Sequence, residues 1–253
     1  MLDRDLWKRY LESLDYDPLF VTVSGAHLYG FPSPDSDVDL RGCHRLPLGD
    51  IVGLSQPTET FERTGEHQGI EVDLVSHDAG KYLRLLVKNN GYILEQVFSP
   101  LVVVGHEFLD QLRPLAGQCI TRHHYHHYRG FYATQRKLLD KQERKTAKAV
   151  LYAYRVLLTG IHLLRTGCVE ANLIRLNESF GLSFIDELIA MKTAEKIAPN
   201  ELDWPFHEKQ LSRLEETLDR AFEESTLPES CDRKPVNEFL VGLRLDGYPG
   251  AKS

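Results

Sequence analysis

Leu19-Phe20-Val21-Thr22-Val23-Ser24-Gly25-Ala26-His27-Leu28-Tyr29-Gly30-Phe31-Pro32-Ser33-Pro34-Asp35-Ser36-Asp37-Val38-Asp39-Leu40-Arg41-Gly42 is the stretch on which the fold turns. Leu19 to Val23 is an apolar, β-branched run of the kind that forms a buried strand. It runs into Ser24-Gly25, and Gly30, Pro32 and Pro34 punctuate the residues after that turn. Val38 to Cys43 then alternates apolar and polar side chains, as a half-buried strand does. Asp37 and Asp39 stand two apart on it, so both carboxylates leave one face with Cα atoms about 7 Å apart.

Outward from this centre, Leu6, Trp7, Tyr10, Leu11 and Leu14 give residues 3 to 14 a helical spacing. Ile70 to Val75 reads as a further strand, with Ile70, Val72 and Leu74 on one face and Glu71, Asp73 and Val75 on the other. Helices are expected at 79–88 and 92–98, and a short strand at 102–104. After Arg113-Pro114 the character changes: residues 118–166 read as long helices, followed by helices at 185–196 and 208–224. Residues 227–253 read as irregular chain or short helix. The expected fold is an α/β (α+β) palm-like domain with a mixed sheet over residues 1–115, followed by an all-helical domain over 116–253.

The bulk properties narrow the possibilities. The chain has 253 residues and a net charge of -7, which excludes a general nucleic-acid-coating protein. An apolar fraction of 42% excludes low-complexity disorder. The N-terminal segment has no apolar run suited to a secretory signal, and no uninterrupted apolar run reaches the roughly 20 residues of a membrane span. Four dispersed cysteines without a C-x-x-C pair argue against a disulfide scaffold or zinc knuckle, so a reduced, cytoplasmic protein is expected. No Walker A, G-x-S-x-G or H-E-x-x-H pattern occurs.

Asp37, Asp39 and Asp73 form the candidate chemistry. If the two strands pair, three carboxylates repel one another unless cations lie between them. Hard oxygen ligands on a rigid sheet suit Mg²⁺ or Mn²⁺, which retain waters and accept phosphate oxygens. The glycine turn ahead of them offers backbone N–H groups to a phosphate. Glu71 shares a face with Asp73 and competes for the third position. Ser36 has two readings, a phosphate contact or a turn cap.

The order of strand, glycine turn and Asp-x-Asp, followed by Glu71-Val72-Asp73-Leu74-Val75-Ser76-His77-Asp78, Lys81, Asn90 and Glu95, resembles the DNA polymerase β superfamily of nucleotidyltransferases. Within it the chain is similar to the YcgL/RlaP group, and the strong motifs cover residues 20 to 100. The resemblance implies that Asp37 and Asp39 hold two Mg²⁺ (or Mn²⁺) ions on the triphosphate of an NTP. Asp73 would complete the metal facing the attacking hydroxyl, lowering its pKa or taking its proton. An NMP would pass to the hydroxyl by in-line displacement of pyrophosphate. It also implies that Gly25 lets the backbone approach the β- and γ-phosphates. The superfamily turn is Gly-Ser or Gly-Gly, and Ala26 here supplies a backbone N–H without the hydroxyl; Ser24 and His27 are the neighbours able to replace it.

Residues 121–155 hold nine basic residues against Asp140 and Glu143, a local charge of +7, whereas residues 201–232 carry -7. Lys141, Lys145, Lys148 and Arg155 are spaced as one helical stripe, with Tyr152 beside them. Such a stripe would clamp a triphosphate or an RNA or DNA backbone, and Lys148 and Arg155 are its preferred nucleotide contacts. The His123-His124-Tyr125-His126-His127 cluster reads as helix surface or a nucleic-acid contact rather than a metal site. Asp78 reads as a helix cap, and Asn90 and Glu95 as packing and hydrogen-bonding positions. A polynucleotide 3′ end is the favoured acceptor. Nucleotidylation of a protein hydroxyl and a non-catalytic nucleotide or RNA sensor are the alternatives.

Overall fold

The computed structural model describes residues 3–194 and 202–245. Five strands form one mixed sheet in the order β3-β4-β2-β1-β5: β1 is Pro18–Val23, β2 Val38–His44, β3 Thr60–His67, β4 Ile70–Asp78 and β5 Val102–Val104. β2 and β4 are parallel and the remaining pairs antiparallel. α1 (Arg4–Glu12) lays Leu6, Trp7, Tyr10 and Leu11 on Val21, Val23, Val38, Leu40, Val72 and Leu74, which form the core on one sheet face. Strand alternation turns Phe20, Asp39, Arg41 and Asp73 to the opposite face. There Phe20 meets Tyr82 of α4 (Ala79–Leu86) and Phe108 of α6 (His106–Gln118), with ring centroids 5.3 and 5.9 Å away.

Most expected elements form within a few residues of their sequence limits; the 79–88 helix, for example, is α4. α2 (Gly25–Tyr29), α3 (Leu48–Val52) and α5 (Gly91–Val97) complete the first half. β3 was not expected. Its Thr-Phe-Glu-Arg-Thr-Gly-Glu-His sequence is largely exposed and lacks an apolar alternation. Pairing with β4 through a tight Gln68-Gly69 turn, both residues at positive φ, makes it a strand.

The described chain divides into two compact units that interleave in sequence. One holds residues 1–24, 37–119 and 230–253; the other holds 25–36 and 120–229. The expected division into 1–115 and 116–253 takes each part as continuous. In the first unit α12 (Lys234–Leu245), in a region expected to be irregular or short helix, returns to the sheet domain. Phe239 packs on Phe108, and Arg244 pairs with the buried carboxylate of Asp78. Asp78 also caps α4 by accepting from Gly80 N–H and accepts from Leu46 N–H. Burial pushes its carboxyl up, but these bonds, led by Arg244, hold it below its ordinary value.

The second unit is helical: α7 (His124–Lys141), α8 (Ala147–Thr166), α9 (Leu173–Phe180), α10 (Ile185–Ala194) and α11 (Trp204–Glu224), with α2. The C-terminal residues expected for α10, 195 and 196, lie outside the described residues, as do 246–253 of the closing segment. α8 is apolar and long enough to cross a bilayer, but most of it is buried inside the protein as the unit's central helix.

The expected stripe from Lys141 to Arg155 is not on one helix. α7 stops at Lys141, Gln142 is extended, and Thr146 caps α8 by accepting from Ala149 N–H. Nor are the arginines of residues 121–136 an open basic wall, because α11 and the segment after it supply acids to them. Arg129 pairs with Glu215 and Asp219, and Arg136 with Glu208 and Asp140. Arg122 pairs with Glu229 beyond α11. Arg122, Arg129 and Arg136 are thus paired with acids of residues 201–232, and Lys137, Lys141, Arg144 and Lys148 are exposed.

The histidine run also separates by burial. His124 is fully buried, accepting at Nδ1 from Thr121 N–H, while His126 is exposed. Burial lowers the pKa of both His124 and His127 to about 4, helped by neighbouring cations and imidazoles. Their neutral forms therefore contribute stability that is complete above about pH 6.5 and is lost as pH falls toward 4. The melting temperature should decline across that window, and His127→Phe should make the decline shallower in scans between pH 8 and 4.

Candidate active site

β2 and β4 place Asp39 directly opposite Asp73 in a parallel register. The register follows from the apolar faces: Val38 lies beside Val72 and Leu40 beside Leu74, so burying those four fixes the two acids between them. Arg41, two residues along β2, shares their face. Its Nη2 donates to Asp39 Oδ1 at 2.8 Å and to Asp73 Oδ2 at 2.9 Å. Nη1 donates to the backbone oxygens of Leu40 and Asp73, both at 2.8 Å. Thr64 of β3 donates to the other Asp73 oxygen at 3.1 Å. Both carboxylates thus converge on one cationic nitrogen, with Asp73 held from two sides.

The arrangement has an electrostatic signature. Burial raises the Asp39 pKa; Arg41 opposes the rise, and the charges of Asp37 and Asp73 add to it. Asp37, immediately before β2, is therefore near enough to act on Asp39. Glu71 is exposed on β4 opposite Glu66, leaving Asp73 as the acid across from Asp39. Arg41 and Thr64 were not singled out from sequence. The signal for Arg41 was its place at the third same-face position after Asp37 and Asp39; Thr64 had none, because β3 itself was not legible.

Ser24 is buried at the end of β1, and its N–H donates to Asp39 O at 2.8 Å, tying the turn to the Asp-x-Asp strand. Gly25 begins α2 at φ +60, a left-handed conformation that suits glycine. Gly25, Ala26, Ser36, Lys148 and Arg155 belong to the second unit. Ser36 Oγ accepts from Ser33 N–H at 2.8 Å, which makes it a turn cap. Lys148 is exposed near the start of α8. Arg155 is fully buried, its guanidinium carbon 3.9 Å from the centroid of the Tyr29 ring. Asn90 caps α5 through Tyr92 N–H and Ile93 N–H, and Lys81 donates to Thr60.

Asp39 and Asp73 thus stand at adjacent positions on neighbouring parallel strands of a mixed sheet. Residues 8–242 match the RNA repair pathway DNA polymerase beta family, RlaP, and the chain belongs to that family. An uncharacterized protein of Methanocaldococcus jannaschii is 34% identical over 150 residues, which span 59% of this chain and 61% of that relative. The crystal structure of a nucleotidyltransferase-like protein from Exiguobacterium sibiricum aligns at TM-score 0.32 and 12% identity, over 87% of this chain and 73% of that one.

Asp39 and Asp73 offer the hard oxygens that suit the divalent cation the family implies. Two carboxylates already share one cationic nitrogen, the oxygens are hard, and a third acid lies within electrostatic reach. Among the described residues no group of three His, Cys, Asp or Glu is drawn together closely enough to hold a metal. The positive charge between Asp39 and Asp73 is that of Arg41.

Proposed function

We propose that this chain is a Mg²⁺- or Mn²⁺-dependent nucleotidyltransferase of the cytoplasm that transfers an NMP from an NTP to a hydroxyl, with release of pyrophosphate. The observation that carries the reading is the convergence of Asp39 and Asp73, on neighbouring parallel strands, upon a single cation. Asp37, Asp39 and Asp73 would hold the metal, two ions by analogy with the superfamily. Bound there, the metal would neutralise charge on the reacting phosphates. Asp73 would take the proton of the attacking hydroxyl as its oxygen bonds to the α-phosphorus and the bond to pyrophosphate breaks. Thr64 keeps one Asp73 oxygen occupied and so orients the other. Backbone N–H groups at Gly25 and Ala26, with Lys148, are the proposed nucleotide contacts.

A polynucleotide 3′ end is the preferred acceptor, and the RNA repair in the family's description supports it. The lysines exposed between residues 137 and 148 are the backbone contacts left once α11 has paired the arginines. The test is incubation with labelled NTPs, Mg²⁺ or Mn²⁺, and RNA, DNA or protein acceptors. Label on RNA that disappears in Asp37→Ala/Asp39→Ala supports the reading. Label on protein alone moves the acceptor to a side-chain hydroxyl. Background transfer by wild type and variant alike with every acceptor overturns it in favour of a non-catalytic sensor, the reading that Ala26 favours.

Arg41 offers a separate check on the metal. In Arg41→Ala, Asp39 and Asp73 face each other without their shared cation. The variant should be destabilised by about 1–3 kcal/mol in EDTA, in the range for a partly buried ion pair that loses one member. Excess MnCl₂ should recover more melting temperature in the variant than it adds to wild type. Equal metal responses would remove Arg41 as the charge that stands in the cation's place.

A further inference from the structure

The four cysteines are dispersed in sequence, but two of them meet in the fold. Cys119 ends α6 and is fully buried, whereas Cys231 precedes α12 and is partly open to solvent. These positions bracket the long excursion of the chain: it leaves the first unit after Cys119 and re-enters it at Ser230. Just beyond, the outgoing and returning segments touch. Arg122 N–H donates to Pro228 O at 3.1 Å, and Arg122 and His123 both bond the Glu229 carboxylate, at 3.1 and 2.9 Å.

Cys119 lies three residues before Arg122 and Cys231 three residues after Pro228, so the contact between the two segments brings the cysteines into one neighbourhood. The two thiols are near enough that Cys231 raises the pKa of Cys119. A disulfide bridges cysteines whose Cα atoms lie roughly 4.4–6.8 Å apart. Cys43 is buried in the sheet domain and Cys168 is exposed after α8, so they provide internal comparisons.

We propose that Cys119 and Cys231 form a reversible disulfide when the protein meets a peroxide, closing residues 120–230 into a covalent loop. Cys231 is the sulfur that peroxide reaches first, since burial, with Cys231 beside it, pushes the Cys119 thiol up to about 12. The Cys231 thiolate attacks one peroxide oxygen, the O–O bond breaks, and a sulfenic acid and water result. The Cys119 sulfur then attacks the sulfenic sulfur. The S–S bond forms, the S–O bond breaks, and a second water leaves with the Cys119 proton. Two thiols have lost two electrons and two protons to one hydrogen peroxide. A thiol reductant reverses the step by exchange. Because the closed loop is long, the bond restricts the unfolded chain far more than the folded one.

The full-length reduced protein is treated with hydrogen peroxide at low protein concentration, blocked with N-ethylmaleimide, and digested without reductant. The expected product is one joined peptide pair containing Cys119 and Cys231, lighter by two hydrogens than the separate thiols and released by dithiothreitol. Cys168→Ser should retain it and Cys231→Ser should lack it, while oxidised wild type should melt above the reduced form. Recovery of both residues as separate maleimide adducts or higher oxides overturns the proposal, as does pairing of Cys231 with Cys168 or with a second molecule. The mass measurement on wild type needs no variant to fold, and it is independent of nucleotide transfer.

Discussion

Asp39→Ala should lower NMP transfer by on the order of 10³-fold, corresponding to about 4 kcal/mol of lost stabilisation of charge in the transition state. Asp39 has two roles in the proposed site. Its carboxylate is half of the pair that converges on a cation, and its backbone oxygen receives Ser24 N–H. Alanine removes the first and keeps the second, so the strand end and the turn should stay in place. Stability should change little, because the ion pair that disappears is partly exposed and such pairs contribute about 1 kcal/mol or less. Asp39→Asn sharpens the comparison: shape and one hydrogen bond survive while the charge does not, and activity should fall almost as far. Initial rates at saturating NTP, beside melting curves of each variant, provide the readout. A fall in rate that merely follows a fall in melting temperature would contradict a direct role for the carboxylate.

Arg155→Ala should give the reverse pattern, a loss of about 2–5 kcal/mol in stability, the range for truncating a large, fully buried side chain. The side chain is among the largest with no exposure, stacked over Tyr29 and 5.7 Å from the centroid of Phe131. Truncation removes the stacking and leaves a space that the helices around α8 can only partly close. Lys148→Ala, at an exposed position two turns earlier on α8, should lie within about 0.5 kcal/mol of wild type. Urea melts of the two variants separate these expectations directly. If Lys148→Ala weakens NTP binding at unchanged stability, Lys148 keeps its proposed place as a nucleotide contact. If Arg155→Ala retains wild-type stability, the packing role assigned to it fails.

The contrast between these two residues shows where sequence spacing stops being informative. Lys148 and Arg155 are seven apart, a separation that returns to the same side of a helix, and both carry a positive charge. Nothing local distinguishes them. One is exposed and the other buried because Tyr29 and Phe131 come from distant parts of the chain to cover the second. The basic stretch teaches the same lesson on a larger scale. Its charge was countable in the sequence, but its partners Glu208, Glu215 and Asp219 are some 70 to 90 residues away.

What the sequence determined by itself was whatever depends on short-range periodicity. The alternation in Val38 to Cys43 and Ile70 to Val75 set which side chains are buried, and so set Asp39 and Asp73 on one face. Burial of Val38, Leu40, Val72 and Leu74 then left a single register in which the two acids are neighbours. Family membership was likewise legible, because its motifs lie in contiguous runs. Tertiary structure alone decided the pairings between distant segments: Arg41 between two carboxylates, β3 made a strand by its partner, α11 neutralising α7, and Cys119 beside Cys231. The physical reason is range. Hydrophobic patterning acts through a residue's own strand or helix, whereas ion pairs, stacked cations and thiol contacts form only when packing has brought remote residues within a few ångströms.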